Sequence, residues 1–195
     1  MQVEEKEEVA EASEINMEKL ENVSSLLQSS VDGSLESSLN SMDLYLHEEL
    51  VVKVLETPRL LGENVIRFFK LAMKKPEFKV TSCVVDFPVQ AICSDLRKKN
   101  SYALWDLVKE IGEKGSGALN VEILNKLIAL FSRFGKGKAA LEVFKKFEDF
   151  GFVPDEETYY FTIDALCRRS FFVWASSVCE KMLDAGALPD SEKVE

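Results

Sequence analysis

The 195-residue sequence has little of what most catalytic and metal sites require. It contains one histidine and four cysteines, and the cysteines show neither a CxxC motif nor a Cys/His metal-ligand spacing. It also has no phosphate-binding glycine loop and no nucleophile-elbow motif. These absences argue against an enzyme, a metal site, a cofactor and a small-molecule substrate. They favour a protein that acts by binding a macromolecule.

Long apolar runs are also missing. No stretch approaches the roughly 20 residues needed to span a bilayer, so we expect no membrane segment. The N-terminus has neither the Arg-rich, acid-poor composition of an organelle transit peptide nor the apolar core of a secretory signal. The sequence is therefore expected to be cytosolic or to lack its true N-terminus. The cysteines are predicted to be reduced and buried: Cys83, Cys93, Cys167 and Cys179.

Acidic residues are concentrated in the first quarter of the chain. Residues 1–50 hold 13 acidic and 2 basic residues, a net charge of −11, whereas residues 51–195 carry a net charge of +1. A Ser-rich stretch covers residues 24–41, and aromatic residues are almost absent. Such a composition buries too little apolar surface to offset ordering entropy, so residues 1–42 are predicted to be a mostly disordered arm. A short amphipathic helix is the alternative, around Ile15, Leu20, Val23, Leu26 and Leu27.

A 35-residue internal repeat decides the predicted fold. Residues 121–155 align with residues 156–190 without a gap, and each copy has two apolar runs at helical spacing. Gly135 and Ser170 separate the two runs. Gly151 and Gly186 are placed to end the second helices in a left-handed conformation. Ten aligned positions are identical: Glu122/Glu157, Ile128/Ile163, Arg133/Arg168, Ala140/Ala175, Val143/Val178, Lys146/Lys181, Asp149/Asp184, Gly151/Gly186, Pro154/Pro189 and Asp155/Asp190.

The repeat predicts an all-α protein, a right-handed α-solenoid of helix-turn-helix repeats preceded by the disordered arm. Degenerate hairpins are expected over residues 43–119, with helices near 43–55, 62–74, 80–97 and 101–113, and with Thr57 and Pro58 at a helix start. Regular repeats follow at 120–155 and 156–190. Residues 191–195 then look like the start of a truncated repeat, which predicts a fragment.

The two regular copies resemble pentatricopeptide repeats, the 35-residue helical hairpins abundant in plant organelle proteins. The resemblance rests on the repeat length, the Gly-x-x-Pro-Asp ending, the small residue early in the second helix, and the basic residue late in the first. The 34-residue tetratricopeptide repeat, which binds peptides, fits the length and ending less well. Membership would imply single-stranded RNA binding in organellar RNA metabolism, and location in a mitochondrion or chloroplast.

The resemblance also implies particular RNA-contacting residues. Asn125 and Asp155 would read one base, in the combination that the family uses for uridine, and Tyr160 and Asp190 would face the next base. Arg133 and Arg168 would contact phosphate. Glu122 and Glu157 depart from the family, which tends to place a valine-like residue there, and their carboxylates would repel phosphate. Each predicted site residue also has a structural interpretation as a cap, a packing residue or part of a solvated face.

Two binding functions are compatible with these sequence features. The repeats could bind single-stranded RNA, as the resemblance implies, or they could act as a scaffold that docks a protein or ribonucleoprotein partner without reading bases. The near-neutral repeat region attracts phosphate weakly and favours the scaffold, because strong RNA binders usually carry a basic stripe. The family resemblance favours RNA.

Overall fold

The computed structural model describes residues 17–29, 33–94, 97–115 and 117–187. Within these residues it contains ten helices and no strand, which confirms the all-α prediction. None of the described helices is long and apolar enough to cross a membrane. The helices are α1 Met17–Gln28, α2 Leu35–Ser41, α3 Glu48–Leu55, α4 Gly62–Ala72, α5 Ser82–Ser94, α6 Lys98–Glu113, α7 Val121–Arg133, α8 Gly137–Asp149, α9 Glu156–Cys167 and α10 Phe172–Asp184.

The chain divides into two compact units, residues 1–91 and residues 92–195. In the first unit, α1 packs against α3 and α4, and α2 packs against α4. Val23 and Leu27 of α1, and Leu35 and Leu39 of α2, are buried. The prediction of a mostly disordered arm is therefore wrong for residues 17–28 and 35–41. The high net charge concealed two i, i+4 apolar pairs that are enough to seat short helices on a core. Residues 1–16 and 30–32 lie outside the described residues.

Asn64 of α4 fastens the end of α1. Its Nδ2 donates to the carbonyl oxygens of Leu27, at 3.2 Å, and Ser29, at 3.1 Å. The backbone N–H of Leu61 also donates to the Leu27 carbonyl at 3.1 Å. The last carbonyls of a helix have no partner within it, so these bonds satisfy groups that would otherwise be unpaired. Asn64 is fully buried, and its two donor bonds explain why a polar residue is tolerated there.

The predicted helix start at Thr57 and Pro58 is wrong. Both residues lie in a turn, and α4 begins at Gly62 without a side-chain cap. Thr57 Oγ1 instead shares a hydrogen bond of 2.9 Å with Ser24 Oγ, and the Pro58 carbonyl accepts a bond from Gln28 Nε2 at 2.9 Å. These residues therefore serve the packing of α1 and not the capping of α4.

In the second unit, α7 and α8 form one helical hairpin, α9 and α10 form the next, and α9 packs against both α7 and α8. The predicted apolar stripe of the first copy is buried throughout: Leu124, Leu127, Ile128, Phe131, Ala140, Val143, Phe144 and Phe147. In the second copy, Tyr159, Leu166, Ala175 and Val178 are buried, whereas Ile163, Cys179 and Met182 are half-buried. The predicted stacking of repeat hairpins is thus confirmed for these helices.

Burial of the cysteines is not what the sequence predicted. Cys83 and Cys167 are exposed, and Cys93 and Cys179 are only half-buried. Cys83 and Cys167 lie near helix ends, at the start of α5 and at the last residue of α9, where a small side chain is not required by the core. The general preference of cysteine for protein interiors therefore misled the prediction at these positions.

The turns of the two copies lie where the sequence predicted them. Gly135 and Ser170, which were predicted only to separate the helices, have φ angles of 63° and 58°, so both hairpins turn through a left-handed residue. The left-handed conformation was predicted for Gly151 and Gly186. Gly151, with φ of 76°, ends α8 and lets the N–H of Phe152 donate to the Phe147 carbonyl at 2.8 Å. This is the bonding pattern of a Schellman motif. Gly186 ends α10 in the same conformation.

Candidate nucleic-acid interface

Asn125 and Asp155, which the resemblance assigns to one base, lie side by side. Asn125 is on α7, and Asp155 directly precedes α9 as its N-cap. Asn125 Nδ2 donates to Asp155 Oδ1 at 3.0 Å. Thr158 completes the cluster, because its Oγ1 lies 2.7 Å from Asn125 Oδ1 and its backbone N–H donates to Asp155 Oδ1 at 2.8 Å. The three side chains therefore link one hairpin to the next.

The Asn125 amide is largely committed to this cluster. The residue is only 4% exposed, and its oxygen accepts from the Thr158 hydroxyl while one of its N–H groups bonds the Asp155 carboxylate. The orientation of the amide is fixed by its neighbours, since an ionised carboxylate only accepts hydrogen bonds. A base that used these atoms would have to displace existing bonds.

Asp155 has the chemistry of a helix cap. Its carboxylate accepts from the backbone N–H of Thr158, and the Thr158 hydroxyl accepts from the backbone N–H of Asp155, which forms a capping box. Partial burial raises the pKa of the Asp155 carboxyl, but the hydrogen bonds from Thr158 and Asn125 outweigh burial and hold the pKa below its ordinary value. The carboxylate is therefore ionised at neutral pH.

Tyr160 occupies the position on α9 that Asn125 occupies on α7, but its environment differs. The side chain is 66% exposed, and its ring makes an edge contact with Phe161, with centroids 5.9 Å apart. An exposed tyrosine ring can stack on a base, although it is no counterpart of the buried Asn125 amide. Asp190, its predicted partner, lies outside the described residues.

The two arginines predicted to contact phosphate differ in their contacts. Arg168 Nε donates to Asp164 Oδ2 at 2.7 Å, and Ser132 Oγ donates to the same oxygen at 2.7 Å. Burial raises the pKa of the Asp164 carboxyl, but these two bonds outweigh burial and leave the pKa below its ordinary value. Arg133 is exposed and stacks over Phe134, with its guanidinium carbon 5.1 Å from the ring centroid. The charge of Arg168 is thus already paired with a carboxylate.

The carboxylates that depart from the family pattern remain at the surface. Glu122 and Glu157 are both exposed, and Glu122 pairs with Lys126 at 2.9 Å. Sequence reasoning missed Thr158 and Asp164, which organise the neighbouring site residues. The Asp-x-x-Thr spacing of Asp155 and Thr158 is a capping-box signal and could have revealed the first of them. Asp164 lies four residues before Arg168, the spacing of an ion pair on one helix face, and this spacing could have revealed the second.

Stacked helical hairpins, linked between repeats by helix caps and polar clusters, define the chain as a helical-repeat protein. It is 54% identical over 178 residues, 91% of this chain and 31% of the relative, to the small ribosomal subunit protein mS80 (rPPR6) of Arabidopsis thaliana. A pentatricopeptide repeat-containing protein of the same plant is 30% identical over 148 residues, 76% of this chain and 23% of the relative. A third, mitochondrial one is 26% identical over 171 residues, 88% of this chain and 32% of the relative.

The chain belongs to the pentatricopeptide-repeat family, as the repeat length and the punctuation of α7–α10 predicted. It spans about a third, or less, of the length of these relatives. No family model and no solved structure matches the chain.

Proposed function

We propose that this chain is the repeat module of a mitochondrial small-ribosomal-subunit protein, and that it docks on ribonucleoprotein without reading bases through Asn125. A binding role, and not catalysis, is part of this proposal. The similarity to mS80 supports the ribosomal assignment, and the naming of several relatives as mitochondrial supports the compartment. The observation that carries the proposal is the engagement of the Asn125 amide by Thr158 and Asp155.

Base reading by Asn125 would gain little free energy. A base that captured the Asn125 oxygen would displace the Thr158 hydroxyl, which would then donate to Asp155 Oδ1, also 2.7 Å away. The displacement would cost about one hydrogen bond, roughly 0.5–1.5 kcal/mol. The bidentate contact that specifies a base is itself worth about 1–3 kcal/mol. The cost removes a large part of the gain, so the cluster supports only weak net discrimination between bases. Its structural role, capping α9 and joining α7 to α9, needs no ligand.

Single-stranded RNA binding is the second candidate function. It is favoured by the 3.0 Å contact between Asn125 and Asp155, which brings together the pair that the family uses for uridine, and by the exposed ring of Tyr160 on the next first helix. The exposed carboxylates of Glu122 and Glu157 on the same two helices weigh against it, because they repel the phosphate backbone.

Sedimentation tests the ribosomal assignment. An epitope-tagged protein containing this chain is expressed in plant cells, and a mitochondrial extract is fractionated on sucrose gradients with and without EDTA, which separates ribosomal subunits. The protein should follow the small subunit in both gradients. Recovery at the top of both gradients, or with the large subunit after EDTA treatment, would refute the assignment.

Replacing Tyr160 separates the two candidates. Tyr160 is exposed, so Tyr160→Ala should leave the fold intact, and Tyr45→Ala, which removes an exposed tyrosine from the first unit, serves as the matched control. Base stacking is worth about 1–3 kcal/mol, which corresponds to a roughly 5- to 150-fold loss of affinity if a base stacks on Tyr160. The proposed function predicts equal binding of oligo-U by wild type and Tyr160→Ala in fluorescence anisotropy. A selective loss in Tyr160→Ala would favour the single-stranded RNA reader.

A further inference from the structure

Basic residues in the second unit gather at the start of α6 and at the turns inside the α7–α8 and α9–α10 hairpins. These three segments, residues 97–99, 133–138 and 168–169, contain eight basic residues among eleven. Residues 92–195 as a whole hold 15 basic and 17 acidic residues, so more than half of the positive charge is concentrated in these segments. We call the following described residues the basic edge: Arg97, Lys99, Arg133, Lys136, Lys138, Arg168 and Arg169. All are exposed except Lys136, which is half-buried.

The three basic segments are neighbours in the structure. Lys136 Nζ lies 6.0 Å from the ring centroid of Tyr102, which is one helical turn from Lys99 on α6. On the other side, a Cβ placed on Gly135 would lie 3.5 Å from Arg169 Cδ. The edge therefore runs continuously from the start of α6 to the start of α10.

Two lysines of the basic edge, Lys136 and Lys138, make cation–π contacts with aromatic rings. Lys138 Nζ lies 5.8 Å from the ring centroids of both Phe171 and Trp174, while Lys136 lies over Tyr102. Tyr102 is 43% exposed and Trp174 is 40% exposed, so the rings remain partly open to solvent. Cations over aromatic faces, with the rings accessible beside them, form a surface suited to phosphates and bases together.

The charges of the basic edge divide between helix ends and helix starts. A cation near a helix C-terminus is stabilising, and Arg133 in the last turn of α7 and Arg168 at the C-cap of α9 follow this rule. A helix N-terminus favours acidic residues instead, yet the first turns of α6 and α8 have none, and Lys99 and Lys138 lie there. Helix stability does not explain these two lysines, whereas an anionic partner would.

We propose that the basic edge binds the phosphate backbone of RNA, with Tyr102 and Trp174 beside the strand, and that this edge, not the surface carrying Asn125 and Tyr160, is the RNA contact of the module. The inference rests on the proposed function and deepens it by naming how the module attaches to ribonucleoprotein. The excess of cations along the edge favours RNA over a protein surface, which mixes both signs of charge. The edge includes one carboxylate contact, the pair of Arg168 with Asp164.

A triple charge change tests the proposal in the full 195-residue chain. Lys136, Lys138 and Arg169 are replaced together by Gln, and Lys114, Lys145 and Lys181, which lie away from the basic edge, are replaced by Gln in the control with the same change of net charge. The probe is a fluorescein-labelled 20-nucleotide RNA of mixed sequence. Each lost phosphate contact should reduce the salt slope by about 0.7, so three contacts correspond to roughly 100-fold weaker binding near 0.1 M salt. The control should bind within about threefold of wild type.

A charge-conserving variant and thermal melting show whether a loss of binding is caused by misfolding. Lys136→Arg with Lys138→Arg keeps the charge and the cation–π contacts, so it should bind like wild type, and thermal melting should show that the Gln variants remain folded. Equal affinity of the edge variant and the control variant would overturn the proposal, as would the absence of RNA binding by wild type at 0.05 M salt.

Binding to purified small ribosomal subunits completes the test. If wild type pellets with the subunits and the edge variant pellets equally well, the basic edge is refuted while the ribosomal assignment stands. If wild type fails to pellet, the ribosomal assignment is refuted. The fluorescein-labelled RNA assay then still tests whether the basic edge binds RNA. A loss of pelleting by the edge variant, together with wild-type affinity of that variant for the RNA probe, would assign the edge to a protein partner and overturn the RNA contact.

Discussion

Removing the Asp155 carboxylate should weaken the second unit well beyond the effect of an ordinary surface substitution. In Asp155→Ala, α9 loses its N-cap, which costs about 0.5–2 kcal/mol. The substitution also removes the acceptor for Asn125 Nδ2, a nearly buried donor, at a further cost of about 1–3 kcal/mol. We expect a total loss of about 2–4 kcal/mol in the free energy of unfolding, since the two terms share one oxygen and do not add fully.

Urea unfolding followed by tryptophan fluorescence measures the free energy of unfolding of the second unit. The only two tryptophans, Trp105 and Trp174, both lie in the second unit. With a urea slope of about 2 kcal/mol per molar, the midpoint should fall by roughly 1–2 M in Asp155→Ala. Asp155→Asn is the matched control, because it retains Oδ1 and should shift the midpoint by less than about 0.5 M. A midpoint for Asp155→Ala within about 0.3 M of wild type would show that Asp155 is solvated and not structural.

Three further predictions concern acid, a close backbone contact and the N-terminal helix. The folded pKa of Asp164 is lowered, so its stabilisation is present above its ordinary pKa near 3.8 and is lost as pH falls below it; acid titration of stability should show a smaller drop in Asp164→Asn. Gly137→Ala should lower the melting temperature despite a helix-propensity gain of about 1 kcal/mol, because the new Cβ would lie 2.7 Å from the Ala165 carbonyl oxygen; a raised melting temperature would contradict this. Asn64→Ala should speed hydrogen exchange in residues 17–28 by about ten- to a hundredfold, and unchanged exchange would refute the anchor.

The sequence predicted the second unit far better than the first. The 35-residue repeat predicted two helices in each copy, separated at Gly135 and Ser170, and α7–α10 have this arrangement, because the two aligned copies carry the same pattern. Upstream, where no second copy exists, the helix predicted over 43–55 begins only at Glu48, and α1 and α2 were assigned to disorder. Composition averages over a segment, so it missed two short apolar stripes within an acidic region.

The candidate site was predicted in part. The repeat offset brought Asn125 and Asp155 together, and the structure confirms that they are in contact. The hydrogen-bonded cluster that they form also includes the Thr158 hydroxyl, which reaches Asn125 only because α9 packs on α7. Similarly, Ser132 of α7 donates to Asp164 of α9, which joins residues from two helices. Such partners are set by tertiary packing, which the sequence pattern of a single helix does not reveal. Contact of these residues with RNA stays a prediction.

Competition by free oligonucleotides tests whether the chain docks on the small ribosomal subunit without reading bases. The fluorescently labelled 195-residue chain is bound to purified plant mitochondrial small ribosomal subunits, and a large excess of oligo-U or oligo-A is added at physiological salt. Docking without base reading predicts that the chain stays on the subunit and that the two oligonucleotides have the same small effect. Release of the chain by oligo-U at concentrations at which oligo-A has no effect would show that it reads uridine, and would contradict the account.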